Sequence, residues 1–242
     1  MHHCRRFFIL LCSFFLITLS ASAQPVQLIT MLAPGENSVV ISPIEVSARV
    51  VPGEDDLIRV TLVDEDHTLL ARQLLSLDAS GEQAIEFSIQ LAFEIPVDTH
   101  QAILTVATQD REHRPLALRS VTLTLAGSGT AAIQPAVRVE PWLTLTQPEP
   151  GEVIRSSPMI IAGMLVPVNN TPVIFELVNE RGGSLVSKQL AVETPGKAVD
   201  FEISLVYPPD DEAQNLRLVV RQSAGWPGVD VILDSLLITI TP

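Results

Sequence analysis

The chain has 242 residues, 47% of them hydrophobic and 5% aromatic, and carries a formal net charge of −13 at pH 7. An acidic chain repels polyphosphates, and no Lys/Arg-rich run occurs beyond its N-terminal segment, so this composition excludes nucleic-acid binding. The length is sufficient for two domains of about 100 residues, each large enough to fold by burying its own core.

The N-terminal segment has the three parts of a secretory signal peptide. Its charged start holds two arginines, an apolar run follows over residues 7–19, and Ser-Ala-Ser-Ala-Gln occupies residues 20–24. This order is typical of a signal peptide, here with cleavage after Ala23. A retained membrane anchor is the alternative, but a spanning helix needs about 20 apolar residues. We therefore expect export to the extracellular space or the cell envelope, with residues 1–23 removed and no membrane span in the mature chain.

Both cysteines of the chain, Cys4 and Cys12, lie in this segment, so the mature chain contains none. Lipidation of Cys12 is an alternative fate, but the processing site wants a small residue before the cysteine and Leu11 stands there. Without cysteine, an exported protein uses neither disulfides nor thiolate chemistry. The mature chain keeps 13 Lys and Arg and 28 Asp and Glu, a formal charge of −15, which favours solubility.

Residues 24–126 alternate apolar and polar side chains in short runs separated by turn-forming clusters. One run reads Ile-Glu-Val-Ser-Ala-Arg-Val, and a period of two places Ile44, Val46, Ala48 and Val50 on one face. No run sustains the spacing of an amphipathic helix, so the pattern predicts an all-β sandwich. The predicted strands are residues 26–31, 44–50, 57–63, 69–77, 85–91, 103–108 and 116–125.

A change of composition separates this unit from the next. Residues 127–141 begin rich in Gly and Ser and continue with proline, which predicts a linker. The domains are then residues 24–126 and residues 142–242. Such a linker lets the two domains reorient unless Trp142 packs at the joint and fixes them.

The second domain repeats the first. The stretch at residues 150–158 is a near copy of residues 34–43, and Gly163 takes the place of Ala48. The later landmarks also keep their order: Phe175 to Val60, Gln189 to Gln73, and Phe201 to Phe87. Landmarks in register over about 100 residues indicate an internal duplication.

Three motifs of the second copy resemble a known family. They are Thr-Gln-Pro-Glu-Pro-Gly-Glu-Val at residues 146–153, Ser-Pro at residues 157–158 with the small Gly163 after it, and Arg-Gln-Ser-Ala-Gly-Trp-Pro-Gly at residues 221–228. Together they resemble the immunoglobulin-like domain associated with bacterial spore germination proteins; the first copy is similar more loosely. The resemblance implies tandem immunoglobulin-like β-sandwich domains in a bacterial, exported, non-catalytic protein. It brings no catalytic or ligand residues, and a role in sporulation does not follow.

Histidines are the natural candidates for catalysis or metal binding. The mature chain keeps His67, His100 and His113, each in a polar stretch that is predicted to be a loop and lacks the spacing of a nucleophile elbow. His67 stands beside Asp64 and Asp66, which suggests a metal site, but an exposed turn explains the same residues. The sequence therefore predicts no catalytic residue, no metal ligand and no cofactor.

Three acidic clusters, at residues 54–56, 64–66 and 210–212, are candidates for calcium binding. Calcium takes six to eight oxygens that converge from a shaped loop, whereas three adjacent acids point in different directions. None of the clusters has the alternating spacing of a calcium loop. The clusters are therefore interpreted as solvated loop tips.

One aromatic residue is left as a candidate binding residue. Phe87, Phe175 and Phe201 fall at core positions, whereas Trp226 lies in a loop rich in Gly and Pro. We predict a non-catalytic interaction or structural module whose partner is an envelope or extracellular protein or a glycan. The alternative is a small secreted hydrolase or carbohydrate-active protein, because paired carboxylates converge only in the fold.

Overall fold

The computed structural model describes residues 28–76, 83–95, 99–136, 141–208 and 212–242; the predicted signal peptide at residues 1–23 lies outside them. Their regular structure consists of β-strands, and the described residues contain no helix long and apolar enough to cross a membrane. The first unit contains β1 (Ile29–Ala33), β2 (Ser38–Val40), β3 (Ile44–Val50), β4 (Leu57–Asp64), β5 (Leu69–Ser76), β6 (Ile85–Leu91), β7 (Thr99–Gln109) and β8 (Pro115–Ala126). The second contains β9 (Leu143–Gln147), β10 (Val153–Ile154), β11 (Met159–Leu165), β12 (Val173–Val178), β13 (Ser184–Leu190), β14 (Val199–Leu205), β15 (Gln214–Ser223) and β16 (Asp230–Ile240).

Both units have the same topology. In the first, β1-β3-β6 form one sheet, and the other sheet contains β8-β7-β4-β5 with β2 parallel to β8. In the second, β14-β11-β9 form one sheet, and the other contains β13-β12-β15-β16 with β10 parallel to β16. The prediction of an all-β chain with two tandem immunoglobulin-like sandwiches is confirmed.

Each unit buries its own core between its two sheets. The alternate residues predicted to face inward in β3, which are Ile44, Val46, Ala48 and Val50, are all buried. The apolar side chains of the second unit pack around Trp142, which is fully buried. Alternation of period two therefore decided which side chains each unit buries.

The correspondence between the copies differs by two residues from the one read in sequence at the first turn. Ser38 N–H donates to Gly35 C=O, and in the second unit Glu152 N–H donates to Glu149 C=O. The turn at residues 35–38 thus corresponds to residues 149–152, and Gly35 does not correspond to Gly151. A left-handed backbone, with φ of 60° at Asn37 and 76° at Gly151, occupies the third position of both turns. Asn and Gly are the residues that adopt it most readily.

The two sandwiches are joined side by side through their last strands. β8 pairs with β16 in antiparallel register, with Arg119 opposite Ile232, Leu118 opposite Leu233 and Ala117 opposite Asp234. The larger sheets of both units thereby merge into one sheet of ten strands. Leu118 and Leu233 hold equivalent places in their own units, so the joint has an approximate twofold relation. Their side chains contribute to a small apolar cluster with Val178 and Val219.

Candidate functional site

A buried carboxylate lies at the joint between the two units. Asp110, which is fully buried, follows β7, and its Oδ2 accepts hydrogen bonds from Arg114 Nε at 2.7 Å and Arg217 Nε at 3.0 Å. Its Oδ1 accepts the Arg114 backbone N–H at 2.7 Å. Burial alone would raise the pKa of Asp110, but the bonds from Arg114 and the charges of Arg217 and Arg114 hold the pKa below its ordinary value. The carboxylate is therefore ionised, and through its bonds to Arg114 and Arg217 it links the two units.

Two exposed acids complete this cluster. Glu54 accepts from Arg217 Nη2 at 3.2 Å, and Glu112 lies 3.5 Å from Arg114 Nη2. Both glutamate side chains are about half exposed, so solvent screens these outer pairs more than the inner ones. The guanidinium groups of Arg114 and Arg217 are each at most 4% exposed, which makes Asp110 the carboxylate that balances them in the interior.

A second polar tie involves Trp142. Its indole Nε1 donates to Asp234 Oδ2 at 2.6 Å, and the same oxygen accepts from Arg119 Nη2 at 2.7 Å. Arg119 belongs to the first unit and Asp234 to the second, at equivalent positions of β8 and β16. The residue that follows the predicted linker thus packs in its own core and is linked through one carboxylate to the other unit. Residues 137–140 of that linker lie outside the described residues.

Beside this tie the two units enclose a groove of about 460 Å³. Its walls are mostly apolar and come from both units, with Met31 and Val121 on one side and Val168 and Ile232 on the other. Arg119 lies along it. The groove exists only because the sandwiches pack side by side.

The three histidines lie in different settings. His67 and His113 are exposed and occupy left-handed turn positions with φ of 63°. His100, however, lies within β7, so its assignment to a loop was wrong: the strand begins at Thr99, earlier than the apolar run indicated. His100 Nε2 lies 3.3 Å from Asp64 Oδ2, and this side chain rather than that of His67 approaches the acid.

Asp64 shapes the turn between β4 and β5. Its Oδ1 accepts the backbone N–H groups of Asp66 at 3.0 Å and Thr68 at 2.7 Å. Burial raises the pKa of Asp64, but these bonds and His100 outweigh it and lower the pKa overall. Asp64 of the second acidic cluster therefore caps the turn and is buried, whereas its other two acids, Glu65 and Asp66, are exposed.

The other two acidic clusters have separate outcomes. In the first, Asp55 bonds to the Leu57 N–H and to Arg59, and Glu54 reaches Arg217. Asp55 therefore stabilises its own loop, and Glu54 contributes to the joint between the units. In the third, residues 210 and 211 lie outside the described residues. Among the residues that are described, no group of three or more His, Cys, Asp or Glu is placed to hold a metal ion.

Trp226, the predicted binding residue, lies in the loop between β15 and β16. Its side chain is half-buried, and its carbonyl accepts the Val229 N–H at 3.2 Å. This loop is the equivalent, in the second unit, of the loop between β7 and β8 that carries Asp110 and Arg114 in the first unit. Contact of Trp226 with a partner stays a prediction.

Sequence reasoning missed the residues of the joint. Neither Asp110 and Arg114 nor Arg217 was singled out as a candidate site residue. One signal was present, since Arg217 interrupts the apolar run Leu-Arg-Leu-Val-Val of β15, and a charge at such a place needs a buried partner. The sequence could not show that the partner is 107 positions away.

The outer edges of the ten-stranded sheet are open. β5 and β13 are its end strands, and each pairs with one neighbour within the described sheet. Exposed apolar side chains lie along both, Leu69 and Leu74 on β5 and Leu185 on β13. An unpaired edge presents backbone groups to which another strand can bond.

Comparison with known proteins found no matching family model and no matching curated protein. Among solved structures, the chain is similar to fibronectin(III)-like modules of CbhA from Clostridium thermocellum, with 12% identity, a TM-score of 0.27, and coverage of 88% of this chain and 94% of the other. It is also similar to dimeric latent PorU from Porphyromonas gingivalis, with 8% identity and a TM-score of 0.26. That match covers 88% of this chain and 24% of PorU. Neither similarity indicates a function.

Proposed function

We propose that this protein is a non-catalytic, exported interaction module of a bacterial envelope or secreted fraction. It binds an envelope or extracellular protein or a glycan through strand edges or through loops at the ends of its sandwiches. We also propose that its two domains belong to the spore-germination-associated immunoglobulin-like family. The observation that carries the functional proposal is the fusion of two sandwiches into one sheet with an open strand at each outer edge.

The joint supports this proposal because it makes the two units one platform. Backbone pairing between β8 and β16, the inner bonds of Asp110 and the shared acid Asp234 all cross between the units. Each tie restricts hinge motion about the linker. A platform held in this way presents its two edges at a fixed separation, which suits simultaneous contact with an extended partner.

The edges also have the chemistry that strand addition requires. β13 exposes most of its side chains, with apolar Leu185 near one end and Lys188 near the other. Main-chain bonds supply affinity in this mode and side-chain pockets supply selectivity. The lysine is a charge of the kind that blunts an edge against indiscriminate pairing.

Capture with matched variants tests the proposal. Immobilised residues 24–242 are exposed to envelope and culture fractions of the source cells, and bound proteins and glycans are identified by mass spectrometry. Variants Leu185→Glu and Leu74→Glu alter the two edges, and Trp226→Ala alters the loop. Leu237→Glu is the control, because Leu237 is equally exposed but lies on the interior strand β16.

We expect a defined set of bound molecules that at least one edge or loop variant loses and Leu237→Glu retains. Capture of the same set by all four variants excludes β5, β13 and the loop of Trp226 as the binding surface. The proposal fails if the protein captures nothing above a blank support.

The secreted hydrolase stays as a rival because of the pair formed by His100 and Asp64. Turnover of a panel of ester, peptide and glycan substrates by residues 24–242, lost in His100→Gln and kept in His67→Gln, would establish it. His67 is the matched control, since it is an exposed turn residue of the same unit. We expect no turnover by any of the three proteins.

A further inference from the structure

One edge of β2 is covered by another part of the chain in the first unit. The equivalent edge of β10, in the second unit, is not covered by any described residue. In β2, Val39 N–H donates to Ala132 C=O at 3.0 Å, and Ala132 N–H donates to Val39 C=O at 2.8 Å. Val39 stands opposite Thr124 of β8, and Val153 of β10 stands opposite Thr239 of β16. Val39 and Val153 are therefore equivalent.

A short extended stretch of the chain covers the edge of β2. Beyond the pair at Ala132, Gln134 N–H donates to Ser38 Oγ at 2.9 Å, and Gly35 N–H donates to Gln134 C=O at 3.0 Å. The side chains of Ala131 and Ile133 line a cavity of about 300 Å³ with residues of β2 and β3. Residues 131–134 thus run antiparallel to β2 and cover its edge, with one β-bridge between Val39 and Ala132.

The equivalent edge of β10 has no such cover among the described residues. Thr239 and Thr241 donate to Glu152 C=O and Ile154 C=O, so those residues face β16. Val153, which lies between them, faces the other way, and no described residue bonds to its N–H or C=O. Its side chain is 43% exposed, whereas that of Val39 is half-buried.

A cavity of about 200 Å³ lies beside this open edge. Pro158, Met159 and Ile160 line it, at the places that Pro43, Ile44 and Glu45 hold beside β2, but its lining is mostly polar, with contributions from Glu152, Arg155 and Ser156. Ile160 is 37% exposed. The second unit therefore keeps a smaller pocket and the unpaired backbone groups, and no described residue covers them as residues 131–134 do in the first unit.

We propose that β10 binds an extended segment of a partner protein, antiparallel to it, with small and branched apolar side chains such as those of Ala131, Ala132 and Ile133. The proposal rests on the proposed interaction function and names one edge that performs it. The first unit supplies the argument for the occupant, because a segment of this composition already covers the same edge there. The contact consists of the two backbone bonds of Val153 and of apolar packing against the exposed side chain of Ile160.

The site is shorter than its counterpart. A Cβ on Gly35 would overlap the carbonyl oxygen of Pro135, so the covering chain passes directly over that glycine. Glu149 replaces it in the second unit, and its N–H is already bonded to Glu152 Oε2 at 2.8 Å. The bound segment must therefore turn away after the residue equivalent to Gln134.

Disulfide trapping tests this inference, because residues 24–242 contain no cysteine. Variant Val153→Cys is mixed in a glutathione buffer with an eight-residue peptide of the sequence of residues 127–134 that carries cysteine at the Ala132 position. The control peptide carries it at the Ala131 position, where the side chain points to the other face of the strand. In cis, the double variant Val39→Cys with Ala132→Cys calibrates the geometry, since paired Cα atoms about 5.5 Å apart permit a disulfide.

We expect about tenfold more mixed disulfide with the first peptide, because only a cysteine at the Ala132 position stands opposite Val153 when the backbone bonds form. The peptide does not displace residues 131–134 from β2, because their tether keeps them at millimolar effective concentration. Equal trapping of both peptides, while the cis disulfide forms, overturns the inference.

A second measurement alters the peptide alone. The unmodified eight-residue peptide should shift the amide resonance of Val153, and a peptide N-methylated at the Ala132 position should not, because it lacks the donor. Shifts from both peptides, or from neither, contradict the inference. The capture experiment stands apart: partners lost with Leu185→Glu or Trp226→Ala would support the interaction function even if β10 bound no peptide.

Discussion

The two sandwiches show how one strand pattern tolerates different polar residues at equivalent places. The turn between β4 and β5 begins with Asp64, and the equivalent turn between β12 and β13 begins with Asn179. In each turn the side-chain Oδ1 of that residue accepts two backbone N–H groups. The left-handed position is His67 with φ 63° in one and Gly182 with φ 77° in the other. The backbone geometry was kept while the side chains diverged.

The units also differ in the polar residues that they bury at equivalent places. Strand register makes Thr108 of β7 equivalent to Gln222 of β15. Both are buried, yet Gln222 bonds to the backbone of Val168, Asn169 and Thr171, whereas Thr108 Oγ1 has no partner among the described residues. The alternation of apolar residues therefore determines the topology that the units share. The buried polar residues determine which hydrogen bonds each unit makes within itself and with the other unit.

The largest expected effect is on the joint. Asp110→Ala leaves the guanidinium groups of Arg114 and Arg217 buried without their shared carboxylate, so we expect a loss of about 3–5 kcal/mol in the free energy of unfolding. Chemical denaturation measures it. Glu112→Ala is the control: it removes an exposed partner of the same arginine and should cost less than about 1 kcal/mol. Similar losses in the two variants would show that the joint is not held by the buried acid.

The next largest effect on stability is expected at Gln222 of β15, compared with its equivalent Thr108 of β7. Gln222→Ala removes the bonds that hold residues 168–171 to β15, and we expect a loss of about 2–4 kcal/mol. Thr108→Val removes a buried hydroxyl that has no partner, so its effect should lie within about 0.5 kcal/mol or stabilise the fold. Thermal unfolding of both variants checks the contrast, which fails if Thr108→Val costs as much as Gln222→Ala.

Acid should weaken the first unit and the joint through Asp110 and Asp64. The pKa of each carboxyl is lower in the fold than in the unfolded chain, where it is about 3.9. The stability from these charges is present above that value and is lost as the pH falls through the lower folded pKa. Unfolding measured between about pH 5 and pH 2 should show this loss, with a shallower dependence in Asp110→Asn. An unchanged slope would exclude Asp110 as its source.

The smallest expected effect concerns the shared turn. Gly182→His places in the second unit the residue that the first unit carries at the same left-handed position, and we expect a cost below about 1 kcal/mol. Gly182→Val introduces a β-branched residue there and should cost more. If both variants lose the same stability, the two turns are not equivalent.

Part of this fold could be predicted from particular residues. The alternation in β3 predicted the inward side chains, and landmarks in register between the copies, such as Phe201 with Phe87, predicted the duplication. Every strand of the first unit was found except β2, whose three residues are too few to alternate. The candidate site could not be predicted from the sequence, because the pairing of β16 with β8 is what brings Arg217 to Asp110.

The sequence by itself determined the strands, the faces they bury and the repetition of the unit, because these depend on neighbours two residues apart and on turns a few residues long. Only the tertiary structure decided that the last strands of the units pair, that a buried acid joins two arginines across them, and that residues 131–134 cover one edge while no described residue covers its counterpart. Those contacts join residues far apart in the chain, and their energies depend on burial that local patterns do not encode.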